Sequence, residues 1–275
     1  MKSVLPLRFR SFFLVAVAAP LCFVGLNVKA DLVTTFPEMG DLLRWGVFSL
    51  GGGVSGDSDE MTGTSDIYGD VGVAGNGNIT MTGNSTIHGD LYYRTNGTLS
   101  MKGASKITGT KHHDAGSDAQ LDNGVTEAIN TSNHAFALPV TRPQYTSITS
   151  STTITGAPGE TVVLSLTNFT LNNGTLTLQG GANTTFVINV SNQFSLTSHS
   201  QIVLSGGLQW DDVLFNVRGT GTVSLDSQST LRGVLMANNR TVNMDGQSSV
   251  QGEVIANKIS MKGGSQVVHP PLSSP

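Results

Sequence analysis

The sequence predicts a mainly β solenoid built from coils of about 20 residues, with one α-helix packed alongside. Three observations lead there. Met61, Met81 and Met101 open the related segments MTGTSDIYGD, MTGNSTIHGD and MKGASKITGT, spaced 20 residues apart. The phrase returns as LDSQSTLRG from Leu225, MDGQSSVQG from Met244 and MKGGSQVVH from Met261, with a weaker copy from Leu196. Within each copy apolar and polar residues alternate, as they do along a strand with one buried face and one exposed face.

The alternation sorts the residues. Ile79, Met81, Gly83, Ser85, Ile87 and Leu91 fall inward, as do Val223, Leu225, Leu231 and Leu235, and Val242, Met244, Val250 and Val254. One inward position is always serine: Ser65, Ser85, Ser105, Ser200, Ser229, Ser248 and Ser265. No His or acid accompanies it at a fixed offset, so the column reads as a ladder of buried hydroxyls bonded between coils, not as a row of nucleophiles.

Along the chain, residues 1–30 read as a signal peptide. Lys2, Arg8 and Arg10 make a basic start, Phe12 to Val28 an apolar stretch, and Val28-Lys29-Ala30 a small-residue cleavage site. Pro20, Gly25 and Asn27 interrupt a run already short for a membrane span. Cys22, the one cysteine, leaves with the leader, so stability rests on packing and hydrogen bonds without disulfides. Cleavage leaves 11 basic against 19 acidic residues, a formal charge of −8. That balance disfavours nucleic acid and anionic membrane surfaces, and no later segment spans a membrane.

Residues 31–60 form a lead-in, with a short helix expected from Thr35-Phe36-Pro37-Glu38 through Trp45. Residues 61–270 follow as one solenoid domain. It is interrupted by a helix over 117–138, opened by the capping-box sequence Ser117-Asp118-Ala119-Gln120 and stopped by Pro139. Leu121, Val125, Ala128, Ile129, Ser132 and Phe136 mark its expected packing face. Strand patterning resumes over 161–166, 171–178 and 185–190 between Gly- and Asn-rich turns, and 271–275 is a tail.

Function must sit on outward positions. Thr80, Thr82, Thr98 and Ser100 make the least charged outward patch of the repeats and are the candidate ligand-binding residues. Stacked coils array such hydroxyls at about 4.8 Å, a regularity suited to an ice lattice. Lys102, Asp226, Asp245 and Lys262 interrupt the column that contains Thr82. Asp70 with Asp90, and Asp226 with Asp245, occupy equivalent positions in consecutive copies. Each pair is a candidate for a shared structural calcium ion, or for acid and nucleophile in glycoside cleavage. His112-His113-Asp114 has the composition of a metal site but reads as a polar loop.

Val71-Gly72-Val73-Ala74-Gly75, the strand Thr184 to Val190, and the pair Gly233-Val234-Leu235-Met236-Ala237-Asn238 and Gly252-Glu253-Val254-Ile255-Ala256-Asn257 resemble the choice-of-anchor A family of bacterial surface proteins. The order of coils, helix and further coils also resembles the related ice-binding adhesin fold. The likeness covers roughly residues 41–270. It implies a right-handed β-helix with a helix alongside, secreted or on the cell surface, with no known enzymatic site. The expectation is therefore a secreted, non-enzymatic module for surface, matrix or adhesion contacts. Its partner would be a surface polysaccharide or matrix. The alternatives are an ice-binding protein and a polysaccharide-cleaving β-helix enzyme.

Overall fold

A computed structural model of the chain describes residues 32–51, 59–75 and 77–272. The expected leader with Cys22, part of the glycine run after Gly51 and the end of the tail lie outside the described residues. The chain is mainly β, with one long helix, Ala115–Ala137. Its short strands stack in parallel into three ladders around a common apolar interior, in which Met61, Met81, Leu225, Met244 and Met261 are buried one above another.

Order in space differs from order in sequence. In the first ladder the strand Trp45–Ser49 lies between Asp70–Val73 and the 254–256 part of Ser249–Met261. The early coils stack away from this junction, through Leu91–Tyr93 to Lys111–His112. The late coils stack away on the other side, through 234–237, Val213–Val217 and 186–190 to 162–166. The last coil in sequence thus seats against the first, and the chain must cross the whole stack once.

The long helix makes that crossing. At about 1.5 Å per residue its 23 residues span about 34 Å. From Leu91–Tyr93 to 162–166 the ladder takes about seven steps of about 4.8 Å, the same length. Asp114 caps the helix by accepting from Ser117 N–H, and the Ser117 hydroxyl accepts from Asp114 N–H. The start is two residues earlier than the sequence suggests, because the capping residue is Asp114 and not Ser117.

The helix covers the outer side of the first ladder, so this sheet is buried on both faces. Phe48, Val163, Val187, Leu214, Val234, Met236 and Ile255 pack beneath Leu121, Ala128 and Ala135. Gly124 allows the close approach: a Cβ there would lie 2.6 Å from Phe48 Cζ. The expected packing face is rotated. Ile129 and Phe136 are 46% and 51% exposed, while Gly124, Thr131 and Ser132 are buried. The reason is polar. Asn238, Asn216 and Asn189, from three successive coils, donate to the helix carbonyls of Ala128, Ser132 and Ala135 at 2.7, 3.0 and 2.8 Å.

The lead-in also differs from expectation. In place of one helix through Trp45 there is a single α-turn, Leu32–Thr35, then two 3-10 turns, Pro37–Met39 and Leu42–Arg44, before the chain enters the strand. Leu32, Phe36, Met39, Leu42 and Leu43 are all fully buried, which fixes this segment beside the long helix.

The inward serines are buried, apart from the half-buried Ser105 in the outermost early coil. Ser65, Ser85, Ser105 and Ser200 donate to the carbonyl three residues back, which closes the turn at the corner. Bonds between coils add to this: Ser85 reaches Met61 O, and Ser105 reaches Met81 O. The hydroxyls of Ser229 and Ser248 have no hydrogen-bond partner among the described residues, so the expected ladder of bonds between coils is incomplete on the late side.

Candidate ligand-binding face

With the first ladder covered, two sheet faces remain open. The second ladder runs Leu99–Met101, Ile79–Met81, Asp59–Met61, 258–261, 241–244, Thr222–Leu225, 194–197, 168–172 and Ser147–Ile148. Its outward side chains form three columns. The central one is Ser100, Thr80, Glu60, Ser260, Asn243, Ser224, Ser195 and Thr170, each in register with the next. Glu60 is its one charge, and Lys262 pairs with it at 3.5 Å.

One flanking column holds Thr98 and Asn78 on the early coils, and Lys258, Thr241, Thr222, Gln193, Asn168 and Ser147 on the late ones. The other holds Lys102, Thr82, Thr62, Lys262, Asp245, Asp226, Thr197 and Asn172. The charges that interrupt the Thr82 column therefore sit at one margin of the face, away from its centre.

Two blocks of short neutral side chains result. The smaller brings Thr80, Thr98 and Ser100 together, with Thr82 beside them, as the sequence suggests. Asn78 Oδ1 accepts from both the Thr98 hydroxyl, at 2.8 Å, and the Thr98 N–H, at 3.2 Å, which holds that corner rigid. The larger lies on the late coils and carries no charge in its two inner columns up to Lys258: Thr170, Ser195, Ser224 and Asn243, beside Ser147, Asn168, Gln193, Thr222 and Thr241. Asn168 Oδ1 accepts from Asn192 Nδ2 at 2.9 Å and Gln193 N–H at 3.3 Å, an equivalent clamp. The 168–172 and 193–197 strands escape a search at 20-residue spacing because their registers are offset by 25 residues; period-two alternation alone marks them.

The third ladder presents a rougher surface. Its middle column runs Thr153, Thr177 and Val203 on one half, then Arg232, Gln251, Val268 and Tyr68 on the other. Tyr68 is 41% exposed and stacks on His88 with ring centroids 4.2 Å apart. Large side chains of this kind stand above the sheet and deny it flatness.

The acidic pairs are placed at corners. Asp70 Oδ1 accepts from Asp90 N–H at 2.8 Å, and Asp90 Oδ1 from Thr110 N–H at 2.8 Å, so each carboxylate ties its coil to the next. Asp90 Oδ2 also meets His112 Nε2 at 3.0 Å, and this contact, with the Thr110 N–H, holds Asp90 below the usual carboxylate range. Asp226 and Asp245 each accept from the following backbone N–H, of Ser227 and Gly246. Among the described residues no set of three or more His, Cys, Asp or Glu side chains is arranged to hold a metal ion. His112 and His113 stack on Tyr92 and Tyr93, each one coil below, and do not converge. No helix among the described residues is long and apolar enough to cross a membrane.

A family model described as ice-binding-like matches residues 55–266, most of the chain. The chain belongs to the ice-binding-like family. Of the two families the sequence resembles, this is the one whose model matches. Solved structures agree on the fold. An ice-binding protein (LeIBP) from Arctic yeast superposes with a TM-score of 0.58 at 17% identity, covering 90% of this chain and 97% of that one. An ice binding protein from an Antarctic Biological Consortium gives 0.54 at 17% identity, covering 96% and 94%. One from an Antarctic bacterium of the Flavobacteriaceae gives 0.59 at 18% identity, covering 86% of this chain and 49% of that one. No curated protein matches the chain.

Membership of the ice-binding-like family overturns the leading expectation of a surface, matrix or adhesion module, and it lends no support to a polysaccharide partner. That expectation failed because a repeat which serves only stacking looks the same whatever the solenoid's open faces touch.

Proposed function

We propose that this chain binds ice through the face of the second ladder, without catalysing a reaction. The observation that carries the reading is the uncharged double column on the late coils, Thr170 to Asn243 beside Ser147 to Thr241, in a member of the ice-binding-like family. Along the stack the side chains repeat at about 4.8 Å, and along each strand every second residue at about 6.6 Å. A crystal surface is itself a two-dimensional net, so only a flat and regular array can meet it at many points together. Charges would hold their own hydration shells in place of lattice water. Ser and Thr are short and lose little rotamer freedom on contact, and the sheet beneath is rigid. The block of Thr80, Thr82, Thr98 and Ser100 extends the same face beyond the Glu60–Lys262 pair.

Export belongs to the same proposal, since residues 1–30 carry a leader pattern and growing ice is met outside the cell. The winding is taken as right-handed, the hand that parallel crossover connections adopt almost always. The test is direct: purified chain without residues 1–30, in sub-millimolar solution, observed for ice-crystal shaping and for a gap between melting and freezing points. Faceted crystals and a measurable gap are expected. Rounded crystals with no gap would overturn the reading.

A further inference from the structure

Beneath the long helix lies an ionisable group that ice binding does not use. Glu253 sits in the strand Ser249–Met261, in register with Val234, and its side chain is completely buried in the contact between sheet and helix. Neither of its carboxylate oxygens has a hydrogen-bond partner among the described residues. Glu127 approaches it from the helix. One Glu127 oxygen accepts from the Leu42 N–H of the lead-in, while Oε2 is buried without a partner. Asp41, in the same lead-in turn, adds a third negative charge against Glu127.

Among the described residues no cation pairs with them. Arg44, the basic residue of the lead-in, donates to Gln120 Oε1 and lies over the rings of Trp45 and Tyr92. His134, further along the helix, pairs with Glu38. Asp211 and Asp212, in the 3-10 turn Trp210–Asp212 that also packs on this strand, are buried acids with partners of their own. A buried carboxylate without a partner is costly, and the molecule avoids that cost by keeping the group neutral. Burial, with the negative charge of Glu127, drives Glu253 well above the carboxylate range. Burial and then the charge of Asp41 raise Glu127 to about 7.

We propose that Glu127 and Glu253 form a pH-operated latch joining the lead-in, the long helix and the sheet, closed in acid and loosened as the pH rises past neutrality. Three elements meet at these two side chains, so a proton lost there weakens all three contacts together. The folded state holds protons that the unfolded chain has already released above its ordinary Glu pKa. Stability is therefore fully present below about pH 4.5 and falls as the pH climbs through about 7. His269, whose Nε2 lies 3.0 Å from Leu43 O of the lead-in, is held below the usual histidine range by burial, so the glutamine variants must separate the latch from it.

The test is thermal melting of the intact chain at pH 5 and pH 8, with Glu253→Gln and Glu127→Gln alongside, and amide hydrogen exchange over residues 36–44. The amide side chain keeps the shape and removes the proton. Wild type is expected to melt about 5 °C lower at pH 8 than at pH 5. Protection over 36–44 should drop about tenfold beyond the intrinsic pH effect. In at least one glutamine variant most of both changes should vanish, with a higher melting temperature at pH 8 than wild type. A wild-type melt equal at the two pH values would overturn the latch. So would two glutamine variants that keep the full wild-type pH dependence.

Discussion

Asn216 donates from Nδ2 to Asn189 Oδ1, one coil away, at 2.7 Å, and from the same nitrogen to Ser132 O of the long helix at 3.0 Å. With Asn238 this makes a ladder of amides that locks the helix to the sheet. Its physical basis is a match of repeats. A helix advances about 5.4 Å per turn and parallel strands about 4.8 Å per step, so every coil can address one successive turn. Asn216 is fully buried, and Asn216→Ala would leave Asn189 Oδ1 and the Ser132 hydroxyl short of a partner. The expected loss is about 2–3 kcal/mol in a denaturant titration. A loss below about 0.5 kcal/mol would mean that the ladder is incidental.

The rotated helix face gives a second prediction. Ala128 is fully buried against the sheet, whereas Ile129 is 46% exposed. Ala128→Asp should cost about 3–5 kcal/mol or prevent folding, because it places an unpaired charge in the contact. Ile129→Asp should change stability by less than about 1 kcal/mol. Equal damage from both would restore the packing face expected from hydropathy alone.

A third prediction concerns the acidic pairs. The carboxylates of Asp70 and Asp90 are satisfied by backbone N–H groups of the next coil, and Asp90 also by His112. Removing divalent ions with chelator should leave the melting temperature unchanged, since nothing bound to the native state is lost. Because Asp90 is held below its ordinary pKa, its contribution is present above about pH 4 and fades as the pH falls further. Asp90→Asn should flatten that acid limb. A clear rise in melting temperature with added calcium would instead assign the ion to one of the pairs.

How much of this was legible in the sequence depends on periodicity. Met61, Met81 and Met101 declare their coils because the early registers are offset by a constant 20 residues. Trp45–Ser49 declares nothing: all five residues are buried, so a strand covered on both sides shows no alternation. Its place between the first and last coils follows from long-range pairing, which no local pattern encodes. Its cap is Asp114 and not the Ser117 that the sequence suggests, but the long helix was visible from its length and its stop before Pro139. Its packing face was not, because amide side chains of three distant coils, rather than apolar spacing, decide which way it turns. The proposed face was only partly legible as a surface: Thr80 and Ser100 stand in equal repeats, while Thr170 and Ser195 stand in longer coils outside that spacing.

The most direct test of ice binding through the second ladder compares two bulky substitutions. Ser224 stands in the middle of its uncharged block, and Thr177 holds a similar outward position on the third ladder. Tyr is accepted at exposed strand positions, so neither Ser224→Tyr nor Thr177→Tyr should shift the melting temperature by more than about 2 °C. Thermal hysteresis is then measured on wild type and both variants at one concentration. The account predicts hysteresis in wild type, at least a roughly tenfold loss in Ser224→Tyr, where the ring lifts a flat crystal surface off the array, and wild-type values in Thr177→Tyr. Absence of hysteresis in wild type, or loss in Thr177→Tyr with Ser224→Tyr unaffected, would contradict it.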